Sequence, residues 1–167
     1  MTPLRRDWAE TRARIESLLV KGKTNKACRD ARTLFRTFHQ NLAEIKVLDP
    51  ACGSGNFLYV TLQKIKDLEK EVLLYAGDRE LGNFLPLVGP WQFYCIEINP
   101  YAFDLAQTTL WIGYLQWIQA NGFGVPVEPI LRRMDNFKNF DAILDLSDLE
   151  KDLTPIWYAA ACRTKLV

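Results

Sequence analysis

The sequence has few of the residues that bind metal ions or form disulfides. Four of its 167 residues are cysteine, at positions 28, 52, 95 and 162, and one is histidine, His39. No two cysteines are spaced as C-x-x-C, and one histidine completes no Cys/His set, so the sequence offers no structural zinc site. We therefore expect reduced thiols in a cytoplasmic protein, with Cys52 as a small packing residue.

Long apolar runs are also missing. No stretch of about 18 apolar residues is present, which argues against a membrane-spanning helix. The amino terminus carries Arg5, Arg6 and Asp7, where a signal peptide would have a basic stub followed by an apolar stretch. Neither export nor membrane insertion is predicted. Length and composition are those of one soluble globular domain, or of part of one.

The net charge is close to zero, at +1, but the charges are unevenly distributed along the chain. Residues 1–46 contain 11 Lys and Arg against 5 Asp and Glu, which leaves 10 and 15 for residues 47–167. The basic end is therefore the candidate for contact with phosphate. A solvated helical surface explains the same excess equally well.

The hydrophobic pattern alternates between helical and strand spacing. Apolar residues at three and four spacing predict four helices, at residues 7–21, 25–43, 56–72 and 100–120. Short β-type runs predict three strands, at residues 45–48, 92–98 and 127–131. Strand, glycine turn and helix in this order predict an α/β fold with about three parallel strands, preceded by two helices.

Three acidic residues are predicted to meet at one edge of this sheet. Asp49 and Glu97 end the first two strands and Asp135 follows the third, so all three lie where open parallel sheets bind their ligands. After Asp49, Gly53 and Gly55 let the backbone approach a ligand, and the amides of the next helix face it. A carboxylate at the tip of the second strand suits both hydroxyls of a ribose. The sequence therefore predicts an adenosine pocket.

Two kinds of phosphate site are disfavoured by the details of the glycine loop. A dinucleotide fingerprint needs a third Gly or Ala where this chain has Leu58. The acidic residue that binds the ribose in such sites usually lies about 20 residues after the glycines. Here Glu97 lies 48 residues beyond Asp49. A P-loop ends in Gly-Lys-Ser/Thr, whereas Asn56 follows Gly55.

Several blocks of the sequence resemble one enzyme family. Residues 49–57, DPACGSGNF, are similar to the D-P-x-C-G-S-G-x-F motif with which class I DNA adenine-N6 methyltransferases bind S-adenosylmethionine. The blocks at residues 57–73, 94–117 and 129–144 resemble successive parts of the methyltransferase domain of type IIL-like restriction-modification enzymes. The resemblance covers roughly residues 5 to 146 and implies a Rossmann-like class I methyltransferase fold.

The resemblance implies roles for individual residues in binding S-adenosylmethionine. Asp49 would lie near the amino group of the methionine, Glu97 would hold the ribose hydroxyls, Ile98 would contact the adenine, and Asp135 would lie near the adenine amine. The implied cofactor-binding set is Asp49, Pro50, Ala51, Cys52, Gly53, Gly55, Asn56, Phe57, Glu97, Ile98, Asp135 and Asn136. Structural alternatives stay open: a tight turn for the glycines, a helix cap for Glu97 and an ordinary turn for Asp135.

The catalytic loop of the family is not found in the sequence. That loop, D/N-P-P-Y/F, binds the flipped target adenine and follows the fourth strand. Asn99-Pro100-Tyr101 resembles it but has one proline too few and follows the second strand, and no N-P-P-Y or N-P-P-F occurs after Asp145. We therefore expect a partial methyltransferase domain at residues 45–146, between a helical segment at 1–44 and a divergent tail at 147–167.

The resemblance favours an adenine-specific DNA methyltransferase of a restriction-modification or phage-defence system. DNA would be its partner, and a second chain or a downstream segment would supply the catalytic loop. The isolated chain is expected to bind S-adenosylmethionine weakly or not at all and to methylate nothing. A non-catalytic module that binds DNA or a partner chain is the first alternative, and an oxidoreductase using a nicotinamide dinucleotide is the second.

Overall fold

The computed structural model describes residues 2–20, 24–122 and 134–143. The helices are α1 Thr2–Val20, α2 Asn25–Glu44, α3 Asn56–Asp78 and α4 Pro100–Ala120. The strands are β1 Val47–Asp49, β2 Phe93–Ile96 and β3 Phe137–Lys138, and a 3₁₀ turn, Pro90–Gln92, leads into β2.

The predicted order of elements is confirmed for most of the described chain. All four predicted helices are present, α3 runs six residues further than residue 72, and α4 has the predicted bounds. β1 begins two residues later than expected and ends at Asp49, as predicted. The predicted strand at 127–131 and the predicted tail at 147–167 lie outside the described residues. The pattern did not predict β3.

The three strands form one parallel sheet in the order β1-β2-β3. Val47 pairs with Phe93 across the first ladder, and Cys95 pairs with Phe137 across the second. The central strand is apolar throughout, with three of its four residues buried, because a strand between two neighbours in a covered parallel sheet meets no water on either face. The predicted α/β class, with parallel strands and flanking helices, is therefore confirmed.

The described chain separates into two compact units. The first, here called the helical unit, contains the residues up to Glu44 together with residues 64–88. The second, here called the sheet unit, contains residues 45–63 and the described residues from Gly89 onward. The predicted boundary after residue 44 coincides with one of these divisions. Residues 64–88 belong instead with the amino-terminal helices, because the apolar face of the second half of α3 packs in their core.

Aromatic side chains form the core of the helical unit. The Trp8 ring lies 5.1 Å from that of Phe38 and 5.3 Å from that of Tyr75, the second pair in an edge-to-face arrangement. Trp8 also donates a hydrogen bond through its indole N–H to Glu71, at 3.2 Å. Aromatic pairs of this kind stabilise the fold beyond the contribution of the apolar area that they bury. The indole N–H is hydrogen-bonded to Glu71 at the margin of the core.

A buried cluster of charged groups lies in the same unit. Glu69 is fully buried and contacts His39 at 3.1 Å and Lys66 at 2.8 Å. Its carboxylate also accepts the backbone N–H groups of Leu87 and Val88, and Lys66 donates to the Val88 carbonyl. The cluster therefore attaches the segment that follows α3 to α2 and α3 through groups that are costly to bury unpaired.

None of the described helices combines the length and the apolar character that crossing a membrane demands.

Candidate cofactor-binding site

The loop after β1 is a compact turn held by hydrogen bonds among its own residues. The Asp49 carboxylate accepts the N–H of Ala51 at 3.2 Å, and the Gly55 N–H donates to the Cys52 carbonyl at 2.8 Å. Gly53 and Gly55 have φ angles of +54° and +80°, a conformation that strongly favours glycine. The chain then enters α3 at Asn56.

The two glycines of the loop differ in their surroundings. A Cβ on Gly55 would lie 3.0 Å from the Cα of Ala106, so this glycine permits close packing of the loop against α4. A Cβ on Gly53 would meet nothing within 4 Å. Packing against α4 therefore requires glycine at position 55 in addition to its positive φ, whereas the backbone at Gly53 is open to a ligand.

Glu97 joins the tip of β2 to this loop. Its carboxylate accepts the N–H of Gly53 at 2.8 Å and the N–H of Asn99 at 2.9 Å. A second bond runs in parallel, from the Cys52 N–H to the Ile96 carbonyl at 3.2 Å. The predicted meeting of Glu97 with the glycine loop is thus confirmed, and each of its oxygens has a further lone pair available to a ligand.

Asn99-Pro100-Tyr101 begins α4. The Asn99 side chain accepts the N–H groups of Tyr101 at 2.9 Å and Ala102 at 3.2 Å, and Pro100 is in the first turn. This is the N-cap arrangement that satisfies donors with no partner inside the helix. The Asn99 amide oxygen is therefore occupied in the helix cap, as expected of a sequence that is not the family's catalytic loop.

Asp135 and Asn136 lie at a different edge from the one predicted. Both precede β3, and the Asn136 side chain donates to the carbonyl of Trp91, which is before the start of β2. In a parallel sheet this is the amino end of the strands. The prediction that Asp135 lies beside Asp49 and Glu97 is therefore wrong, because Phe137 and Lys138 pair with β2 and Asp135 comes before them in the chain.

Asn139 occupies the position at which Asp135 was expected. Its amide donates to the carbonyls of Glu97 at 2.6 Å and Ile98 at 3.1 Å, so it supports the backbone at the tip of β2. Sequence reasoning missed this residue because no local pattern places a short strand at 137–138. A polar residue directly after Phe137 and Lys138 was the available signal.

A groove of about 460 Å³ lies between the start of α4 and the β3 segment. This volume is within the range typical of small-molecule sites. Asp104, Asp135 and Lys138 provide its charged groups, and Pro100 and Phe103 provide apolar wall. Asp135 therefore lines a groove next to α4, although it does not meet the glycine loop.

The remaining predicted site residues surround the loop. Ile98 is 64% exposed at the tip of β2, and Phe57 is 57% exposed in the first turn of α3. Pro50, Ala51 and Asn56 are also exposed.

Cys52 is buried and joined to Cys95 by a disulfide, so the prediction of reduced thiols is wrong for this pair in the structure. The fold places the two residues on adjacent segments, with their Cα atoms 5.8 Å apart.

The chain is similar in sequence to known DNA methyltransferases. The family model "MmeI, DNA-methyltransferase domain" matches residues 23–123, which include the glycine loop and Glu97. DNA methyltransferase A of Bacillus subtilis (strain 168) is 42% identical over 73 residues, which are 42% of this chain and 8% of that protein. The chain thus matches only a small part of the length of this relative.

A solved structure is also similar. The type IIL restriction-modification enzyme MmeI, in complex with DNA, aligns with 81% of this chain and 19% of its own, at 26% identity and a TM-score of 0.55. The predicted resemblance is therefore confirmed by sequence and by fold. Because the family model spans more than half of the chain, this protein belongs to the MmeI DNA-methyltransferase domain family.

Proposed function

We propose that the chain supplies the S-adenosylmethionine-binding part of a DNA adenine-N6 methyltransferase of the restriction-modification type. The observation that carries the proposal is the hydrogen bond from Gly53 to Glu97, which sets an open backbone beside a half-buried carboxylate. S-adenosylmethionine has ribose hydroxyls and a cationic amino group, and both are groups that carboxylates bind. In this proposal Glu97 accepts hydrogen bonds from the ribose hydroxyls and Asp49 lies near the amino group. Family membership supports the same cofactor.

DNA as the substrate is proposed from the relatives. The B. subtilis relative is named a DNA methyltransferase, and the MmeI structure is a DNA complex. Adenine specificity is proposed from the D-P-A-C-G-S-G-N-F sequence. In this proposal Ile98 contacts the adenine of the cofactor, since it is an exposed apolar residue directly after Glu97.

We further propose that the isolated chain does not transfer the methyl group. Transfer requires the target amine to be aimed along the sulfur–methyl axis, and such positioning contributes several kcal/mol, about 7–11 in favourable cases. The 167 residues contain no N-P-P-Y or N-P-P-F to hold that amine, and Asn99 is used as a helix cap. A second polypeptide segment with that loop would complete the site.

Cofactor binding is tested by following backbone amide resonances during titration with S-adenosylmethionine, a method that detects weak binding. We expect shifts at Gly53, Gly55 and Ile98, and no comparable shifts with NAD. Glu97→Gln should weaken binding by at least about tenfold, because a charged acceptor contributes about 1.5–3 kcal/mol. Glu44→Gln, an exposed glutamate at the end of α2, is the matched control and should change nothing.

Two outcomes would contradict the proposal. Shifts that appear equally with NAD, or that spare the loop after β1, would reject the cofactor assignment. Methylation of mixed-sequence DNA by the purified chain, measured with labelled S-adenosylmethionine, would reject the claim that the chain alone is inactive.

A further inference from the structure

The amino-terminal part of α2 carries a basic face. Lys26, Arg29, Arg32 and Arg36 recur every three or four residues, and all four are exposed. The opposite face of the same helix is buried in the helical unit, through Ala31, Phe35, Phe38, His39 and Leu42. Packing of the apolar face therefore turns these four cations to the surface, which is called here the basic face of α2.

In the part of the chain that the structure describes, the cations of this face have no acidic partners. Among the described residues, none of the four forms an ion pair within 4.0 Å, whereas Arg5 pairs with Glu71 and Arg79 with Glu16 elsewhere in the helical unit. Arg32 donates instead to the Leu81 carbonyl, and the Arg36 guanidinium lies 5.9 Å from the centre of the Phe84 ring. Both contacts orient a guanidinium without neutralising its charge.

Such an arrangement is unfavourable in the isolated helix. Like charges three or four residues apart destabilise a helix by roughly 0.2–0.5 kcal/mol per pair, and a solvated face usually carries charges of both signs. The acid within this stretch, Asp30, lies about 100° from Arg29 around the helix but four residues from Lys26, so it offsets the positive charge only at the amino end of the face. An anion covering the face would remove the repulsion.

The spacing of the face fits a phosphate backbone. Arg29 and Arg36 are separated by seven residues, about 10.5 Å along the axis. Successive phosphates of one DNA strand advance by about 3.4 Å along the duplex, so the two guanidinium groups span about three phosphates. Thr33 and Thr37, between and beside them, are exposed and small, which leaves the face accessible to a flat polyanion.

We propose that the basic face of α2 binds the sugar–phosphate backbone of duplex DNA, without reading the base sequence. The identity of the polyanion rests on the proposed function, whereas the binding surface rests on the charges and exposure of α2. Phosphate contacts of this kind position a protein on DNA and make binding depend on salt.

The test is fluorescence anisotropy with a labelled mixed-sequence duplex and the full chain, over a series of salt concentrations. Arg29→Gln/Arg36→Gln should weaken binding and reduce the slope of log K against log salt by about 1.8, since each lost phosphate contact changes it by about 0.9. Arg6→Gln/Arg14→Gln is the matched control, because it removes the same charge from exposed positions of α1. The control should leave the slope nearly unchanged.

A second variant keeps the Arg36 contact with Phe84. Lys26→Gln/Arg29→Gln should reduce the slope by a similar amount, and urea unfolding should confirm that all variants are folded. Equal losses in the α1 and α2 variants, or no binding of the duplex by the unaltered chain at low salt, would overturn the proposal. Stronger binding of duplex RNA with the same α2 dependence would overturn the assignment to DNA.

Failure of this proposal is distinguishable from failure of the proposed function. The Arg29→Gln/Arg36→Gln chain should still show the S-adenosylmethionine shifts at Gly53 and Gly55. Loss of those shifts in the unaltered chain, with DNA binding intact, would contradict the cofactor site and leave the basic face of α2 standing.

Discussion

Among single residues, Gly53 and Gly55 show two different reasons for a glycine, backbone conformation and close packing. Both have positive φ, but only Gly55 lies against α4. The glycine pattern in the sequence predicted that the loop backbone approaches another group closely, but it did not identify that group at each glycine. At Gly55 the approaching partner is a helix of the protein itself, and at Gly53 the space is open.

Replacing each glycine with alanine tests this distinction. Gly53→Ala should lower the free energy of unfolding by about 1–2 kcal/mol, the cost of a left-handed conformation for a residue with a Cβ. Gly55→Ala should cost about 1–3 kcal/mol more, because its Cβ would overpack against Ala106. Urea unfolding measures both, and equal losses would contradict the packing explanation.

Glu69 provides a second prediction at this scale. Glu69→Gln would remove the negative charge that lies 2.8 Å from the buried Lys66 ammonium, so the free energy of unfolding should fall by about 3–5 kcal/mol. Glu71→Gln on the same helix is the control, because its pair with Arg5 is about half exposed and should contribute less than about 1 kcal/mol. Similar losses in the two variants, measured by urea unfolding, would show that the buried cluster contributes no more than a surface pair.

The same carboxyl predicts a pH dependence of stability. Burial raises the pKa of Glu69, but hydrogen bonds from His39, Lys66 and Leu87 and the charge of Lys66 outweigh it, so the pKa lies below its usual 4.5. The folded state therefore binds fewer protons than the unfolded state in this range, and the stabilisation is complete above about pH 4.5. It is lost as pH falls through the folded pKa. The difference in unfolding free energy between the unaltered chain and Glu69→Gln should shrink in acid; a constant difference would contradict this.

At the scale of secondary-structure elements, α4 begins at a short cap that resembles a catalytic sequence. Asn99 accepts two backbone N–H groups, and Glu97 accepts the N–H of Asn99 itself. The helix-cap alternative for Glu97 is therefore present in the structure alongside its contact with Gly53. One strand tip thus orders both α4 and the glycine loop.

Removing the cap should destabilise α4. Asn99→Ala is expected to lower the free energy of unfolding by about 1 kcal/mol, within a range of about 0.5–2, because two helix donors lose their acceptor. Asn99→Ser keeps a capping oxygen and should cost much less. Thermal unfolding compares the two, and equal losses would show that the side-chain oxygen contributes little.

At the scale of the whole molecule, the sheet unit exposes several large apolar side chains. Phe57, Trp91, Ile98, Tyr101 and Ile112 are each at least 45% exposed. β1 is an edge strand among the described residues, and edges of this kind can pair with other chains. A net charge of +1 provides little repulsion between molecules.

The purified chain should therefore self-associate as its concentration rises. Ile112→Lys, on α4, should reduce light scattering at a given concentration, because it places a charge within the apolar surface. Val20→Lys, at an exposed position at the end of α1, is the matched control and should have a smaller effect. A monodisperse unaltered chain at high concentration would contradict the prediction.

Much of the fold could be predicted because it depends on local patterns. The helical spacing, the proline at the start of α4 and the glycine turn after β1 are encoded within a few residues of each element. The position of β3 was not predictable in this way, since Phe137 and Lys138 form a strand only by pairing with β2. That pairing also moved Asp135 away from the predicted site.

The family motif, the order of the helices and the charge excess of the amino-terminal end can be read from the amino-acid sequence alone. Contacts between distant groups depend on tertiary packing: Glu97 with Gly53, 44 residues away, Asn139 with the tip of β2, and His39 with Glu69. Packing also leaves the cations of α2 facing outward, with no acidic partner among the described residues. The physical reason is that propensity and periodicity act over one or two turns of chain, whereas these contacts depend on how the elements pack.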